Sequence, residues 1–124
     1  MPEFSEKSLS ILETCDHRLI RLCADAIEVT DFSVIHGFRD KALQNSLVRA
    51  GASNRKWPKS NHNKTPSMAV DLAPWPIDWE DIGRFHFLAG VLRGLMRRRN
   101  FDLGWGGNWT GKAKGDYGHF EIKV

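Results

Sequence analysis

Two polar clusters far apart in the sequence constrain this chain more than any other feature: His62 and Asp71 in the middle, Asp116 and His119 near the end. No other combination of side chains in the sequence offers a complete reaction centre, so a fold that serves them must lay the middle of the chain beside its end. Two imidazoles and one carboxylate (His62, Asp71 and His119) are donors that Zn²⁺ accepts, and three such ligands leave a fourth position for water. Asp116 is then available to accept a proton from that water.

The local patterns show how the chain can bring the clusters together. In Met68–Ala73 the residues Met68, Val70 and Leu72 alternate with Ala69, Asp71 and Ala73, which predicts a short strand with Asp71 on a face of small neighbours. The last residues alternate likewise. Phe120, Ile122 and Val124 share one face, and His119, Glu121 and Lys123 share the other. Gly118 supplies a bend between Asp116 and His119. A polar stretch over 52–67 predicts a long loop carrying His62, and loops of that length in a compact chain usually serve function.

The remaining elements are mostly helical. Ser5 is expected to cap a first helix, with Phe4 and Leu9 at staple spacing. A second helix is predicted from Asp16 to Val29, a strand within 31–38, and a helix capped by Asp40, carrying Ala42, Leu43, Ser46 and Leu47 and ended by Gly51. Pro74 and Pro76 are expected to break the central strand. Asp78 then caps the longest helix, whose stripe is Ile82, Phe85, Leu88, Ala89, Leu92, Leu95 and Met96 and whose last turn holds Arg97, Arg98 and Arg99. The tail reads as two strands joined by a glycine-rich loop. The expected class is α+β, a small antiparallel sheet packed with several helices in a single domain over 1–124.

Composition narrows the function classes. The formal charge of +3 suits an anionic partner without selecting among nucleic acid, phospholipid and cell-wall polymer. No apolar run approaches the ~18–20 residues of a membrane span, and the first ten residues lack a secretory signal's pattern, so synthesis in the cytoplasm is expected. Cys15 and Cys23 read as buried thiols of one helix, too far apart to bridge. Five tryptophans exceed the needs of so small a core, and some are expected at a groove or surface.

Each candidate has a plainer reading. His62 and Asp71 taken singly are a solvated loop histidine and a strand-end aspartate; Asp116 to His119 is a polar turn entering an edge strand. The four together favour a site. Arg39 either binds an oxyanion or a substrate carboxylate, or is a surface arginine at a helix start. Trp105 and Trp109, flanking Gly106 and Gly107, form a substrate-stacking wall, or one of them packs in the core. His17 and His36 are expected to be structural or exposed, His86 packed or half-buried, and Arg97–Arg99 a helix end and solvated face.

The segments SNHNKTPSMAVDLAP and GHFE, with an aspartate three residues before the histidine, resemble the zinc D-alanyl-D-alanine carboxypeptidase family, and in particular its phage endolysin branch of L-alanyl-D-glutamate peptidases. FSEKSLSILE, GFRDKALQ and WGGNW extend the likeness over almost the whole chain. The resemblance implies Zn²⁺ on His62, Asp71 and His119, Asp116 as catalytic base, and Arg39 at the scissile carbonyl. It also implies that Ser60 and Gln44 position the substrate. The chain departs from many relatives in its longer gap between His62 and Asp71, with Pro66 inside it, and in carrying Asn108 and Asp116 where they have aspartate and glutamate. The function implied is hydrolysis of an amide bond, L-Ala–D-Glu, in the stem peptides of bacterial peptidoglycan by a monomer that neither binds nucleic acid nor inserts stably in a membrane. It would wait in the host cytoplasm until the inner membrane is permeabilised. The alternatives are a D-alanyl-D-alanine carboxypeptidase or dipeptidase on the same centre, and a basic nucleic-acid or wall-binding module without catalysis.

Overall fold

Ser5, Asp16 and Asp40 each start a helix by the same device, a side-chain oxygen that accepts a hydrogen bond from an otherwise unpaired N–H of the first turn. In the computed structural model, which describes residues 2–123, these helices are α1 (Glu6–Leu12), α2 (His17–Ile27) and α3 (Lys41–Arg49). With them stand β1 (Phe32–His36), β2 (Ala69–Pro74), α4 (Ile82–Met96), β3 (Asp102–Trp105) and β4 (His119–Lys123). Short 3₁₀ turns occupy Asn61–Asn63, Gly106–Asn108 and Gly111–Ala113. The class is α+β, as the sequence patterns predict.

The strands form one antiparallel sheet in the order β1-β2-β4-β3. Pairing β2 with β4 is the step that joins the middle of the chain to its end, and its register sets Asp71 opposite His119. On the other side of β2 the register shifts between Val34 and His36, so that His36 faces Asp71. A bulge of this kind re-aims a side chain, and here it completes a row of three polar residues across three strands.

Strand alternation divides the sheet into two faces. Val34, Val70, Leu72, Leu103, Phe120 and Ile122 are buried on one, in a core shared with Leu19, Leu22 and Cys23 of α2 and Leu88, Ala89 and Leu92 of α4. Each such large side chain removed from water stabilises the fold by about 1.5–3 kcal/mol. Asp71, His119 and Glu121 lie on the other face, opposite the core. The sheet is therefore a rigid plate with an apolar underside and the polar row above it.

Several local expectations are corrected. Phe4 does not staple to Leu9; it packs edge-on against Phe32 at 5.3 Å, while Leu9 is 44% exposed. The reason is that α1 turns Ser8 and Leu12 toward β1, where the Ser8 hydroxyl accepts from Val34 N–H at 3.0 Å. Helix α3 has no buried apolar stripe: its one buried residue is Gln44. The long helix begins at Ile82 rather than after Asp78, whose carboxylate instead accepts from Glu80 N–H and closes a turn of its own. β2 stops at the proline as expected, but one residue later, with Pro74 itself paired opposite Phe32 on β1. Cys15 is free and buried as expected, yet outside α2, in an isolated bridge with Ser67. Arg99 pairs with Asp25 and caps Leu95 O rather than serving only as a solvated charge. Val124 lies outside the described residues.

Candidate active site

His62 comes from the polar loop, and the loop is built to hold it still. The Ser60 hydroxyl accepts from His62 N–H at 3.2 Å, the Asn63 side-chain oxygen accepts from Ser60 N–H at 3.1 Å, and together they make a capping box around Asn61–Asn63. Arg39 N–H donates to His62 O at 2.7 Å and the Asn63 amide donates back to Arg39 O at 3.1 Å, which zips the loop to the end of β1. The His62 ring is 1% exposed, and its Nδ1 lies 2.8 Å from Gly37 O. Gly37 is required at that point, because a Cβ there would stand 2.5 Å from the Thr14 hydroxyl and 2.7 Å from Ile11 O.

His62 Nε2, Asp71 Oδ1 and His119 Nδ1 converge. The separations are 3.2 Å between His62 and Asp71, 3.2 Å between the two imidazoles, and 3.1 Å between His119 and Asp71. Each imidazole has its other nitrogen committed: His62 Nδ1–H to Gly37 O, and His119 Nε2–H to Glu121 Oε1 at 2.7 Å. With those hydrogens placed, two nitrogen lone pairs and a carboxylate oxygen point at one spot. Three acceptors facing one another repel unless a cation sits among them. Tetrahedral donors ~2.0–2.1 Å from a metal stand about 3.3 Å apart, close to the spacing seen. The residues fit a divalent metal that accepts nitrogen and oxygen donors, and among the described residues no other set of histidine, cysteine or acidic side chains converges in this way.

The surroundings tune these groups. Burial favours a neutral Asp71, but the charge of His62 and hydrogen bonds from His119, His36 and His62 hold its carboxyl well below the ordinary range. Arg39 Nη2 donates to Asp71 Oδ2 at 2.6 Å, and His36 Nδ1 lies 3.4 Å from the same oxygen. Burial works against charge on His119, yet its bonds to Asp71 and Glu121 outweigh it and push its pKa up to about 9. Glu121 is lowered by its bond from His119, and its second oxygen accepts from the Asn61 amide at 2.9 Å.

Asp116 sits beside this group without joining it. Its Oδ2 is 3.9 Å from His119 Nδ1, and half of the side chain is open to solvent. Burial in the cleft and then the charge of Asp71 raise its pKa. Its position depends on Gly106, where a Cβ would come within 2.2 Å of Asp116 O. All four clustered residues border one open cavity of about 930 Å³, as do Arg39 and Ser60.

A model of the phage L-alanyl-D-glutamate peptidase family matches residues 2–123. The chain belongs to this family. The peptidase is also similar to a solved structure, the Serratia marcescens L-Ala D-Glu endopeptidase ChiX, with a TM-score of 0.80 and 27% identity over 98% of this chain and 91% of that one. No curated protein matches. The peptidase is accordingly a hydrolase of peptidoglycan, and the resemblance read in SNHNKTPSMAVDLAP and GHFE holds. No helix among the described residues is long and apolar enough to cross a membrane.

Other expected site residues fall into different places. Trp109 borders the cavity with its ring 4.7 Å from that of His119. Trp105 does not: it is 7% exposed, stacks on Phe120 and donates from Nε1 to Tyr117 O at 2.7 Å, because it faces the apolar side of the sheet. Gln44 has no access to a substrate. It is wholly buried, and its oxygen accepts from Asn63 while its amide donates to Ser53 and Arg55. His86 is exposed rather than half-buried, but its ring packs against Trp105 at 5.0 Å, as the packed reading expects. His36, Glu121 and Asn61 were not expected at the site. Only Glu121 had a signal in the sequence, since it shares the strand face of His119 two residues earlier.

Proposed function

We propose that the peptidase is a zinc-dependent endopeptidase, residues 1–124 acting as one catalytic domain, that hydrolyses the L-Ala–D-Glu bond of stem peptides. The observation that carries this reading is the convergence of His62 Nε2, Asp71 Oδ1 and His119 Nδ1, with both remaining ring nitrogens already engaged. Nitrogen and oxygen donors without thiolate suit Zn²⁺, and three protein ligands leave a position free. Zinc held there supplies Lewis acidity, which lowers the pKa of water toward ~7 and polarises a carbonyl.

The chain's own residues do the rest. Asp116, beside His119 and open to the cavity, takes the proton of the attacking water on Oδ2. Its raised pKa suits both halves of the task, since a base that retains its proton briefly delivers it to the leaving amine. Arg39 neutralises Asp71 and adds positive potential where the carbonyl oxygen gathers charge. Gln44 and Ser60 hold Arg39 and His62 in place, and Trp109 offers a stacking face to the substrate. We further infer that the enzyme works as a monomer on peptidoglycan and not on nucleic acid. It is made in the host cytoplasm and reaches the wall once the inner membrane is permeabilised. A terminal-alanine carboxypeptidase would use the same centre, but the family supports cleavage within the stem.

Substitution separates the roles. His119→Ala should lose the metal, whereas Asp116→Ala should keep both metal and fold and lose at least about a hundredfold in turnover. Purified peptidoglycan digested with each variant, with metal content measured alongside, reads this out. Near wild-type cleavage by Asp116→Ala would remove Asp116 from the mechanism.

A further inference from the structure

The cavity beside the ligand group continues between two chain segments, 51–55 and 108–116, that carry Arg55, Lys112 and Lys114. None of these three cations forms an ion pair among the described residues. They differ in how the fold holds them. Lys112 lies in the 3₁₀ turn Gly111–Ala113 and Lys114 follows its end, between Gly111 and Gly115, both at positive φ. Arg55 is fixed from beneath: its carbonyl accepts from Gln44 Nε2 at 2.5 Å, and its N–H donates to the Ser53 hydroxyl, which Gln44 also engages at 2.9 Å. The same Gln44 accepts from Asn63 and lies 3.5 Å from Arg39 Nη1. One wholly buried amide thus ties the backbone of an exposed arginine to the arginine that holds Asp71.

The substrate explains why a cation is needed there. In an L-alanyl–D-glutamate amide the leaving nitrogen belongs to glutamate, which carries two carboxyl groups. One continues the peptide, and the other, unless amidated, is an anion at neutral pH. It would enter a cleft that already holds the carboxylates of Asp116 and Glu121, so like-charge repulsion must be offset locally. A guanidinium fork matches a carboxylate in two parallel hydrogen bonds.

Building on the endopeptidase reading above, we infer that Arg55 is a specificity-determining residue that recognises the free carboxylate of the D-glutamyl residue, with Lys112 and Lys114 contributing longer-range attraction. The test uses two synthetic stem peptides that differ only in that carboxyl, free in one and amidated in the other. Their kcat/KM values are compared for the zinc-loaded wild type, Arg55→Gln and Arg55→Lys. The wild type should prefer the acid about tenfold, with the difference in KM and reduced at high salt, as expected for an exposed charge pair. Arg55→Gln should bring the ratio close to one, and Arg55→Lys should restore part of it, because it keeps the charge without the fork. A wild type indifferent to amidation, or an Arg55→Gln variant that retains the preference, overturns the inference while leaving the endopeptidase intact. Failure of the wild type to cut either peptide would remove the endopeptidase reading itself, and the role of Arg55 with it.

Discussion

The Nε2–H of His119 ends on Glu121 Oε1, and that single contact decides which lone pair of the ring faces Asp71. Glu121 is in turn held by Asn61, so the ring's orientation is fixed by two steps of hydrogen bonding. Outer contacts of this kind typically account for 10–100-fold in metal affinity. Glu121→Gln should therefore weaken zinc binding by roughly that factor, read by competition against a chromophoric chelator, while circular dichroism stays unchanged. An unaltered affinity would mean that the ring is oriented by packing alone. The four clustered residues were readable from the sequence because their chemistry is uncommon in combination. The placement of His36 was not readable, since it depends on the bulge between Val34 and His36, and neither was Arg39's attachment to Asp71, since it is made between residues 32 positions apart. Gln44 misled for a related reason: residue type suggested substrate contact, whereas burial turned it into a brace; of the two readings open for Trp105 and Trp109, Trp105 took the core one and Trp109 the cavity one.

At the scale of elements, short-range signals were the readable ones. Ser5 and Asp40 cap where their types predict, Asp16 caps the helix it was expected to begin, and the alternation in β2 and β4 gave both faces of the sheet correctly. Asp78 failed because an aspartate before a helix can close a turn of its own as readily as it can cap. Asp16 shows what a cap contributes. Its carboxylate accepts from Arg18 N–H at 2.9 Å and from the Arg18 guanidinium at 2.8 Å, and the side-chain bond leads in lowering its pKa below the ordinary 3.8. Asp16→Ala should cost about 1 kcal/mol in urea unfolding at pH 7. A carboxyl with a depressed folded-state pKa stabilises the fold above its unfolded value and ceases to do so as pH falls through the folded one. The gap between wild type and variant should thus begin to close below about pH 4. A gap constant down to pH 2 would assign the effect to the neutral hydrogen bond rather than to the charge.

For the molecule as a whole, the ligand group matters because its members come from separate parts of the chain: a loop, β2 and β4, joined across the sheet that pairs the middle of the sequence with its end. That pairing could be expected from the two clusters, but its register could not, since it is set by apolar packing beneath the sheet. A metal that binds only the folded arrangement stabilises it by mass action, about 2.7 kcal/mol at a free concentration a hundred times Kd. For a chain of 124 residues each kcal/mol moves the melting temperature by roughly 3–6 °C. Zinc-loaded protein should then melt roughly 10 °C above the same protein in chelator. His119→Ala, lacking one ligand, should melt at the same temperature with and without chelator. Asp116→Ala should keep the full difference, because Asp116 flanks the donors without being one. If the wild type bound zinc at one equivalent yet melted identically after its removal, the ion would be held by the unfolded chain as tightly as by the folded one, and the preformed geometry of the three donors would have no thermodynamic consequence.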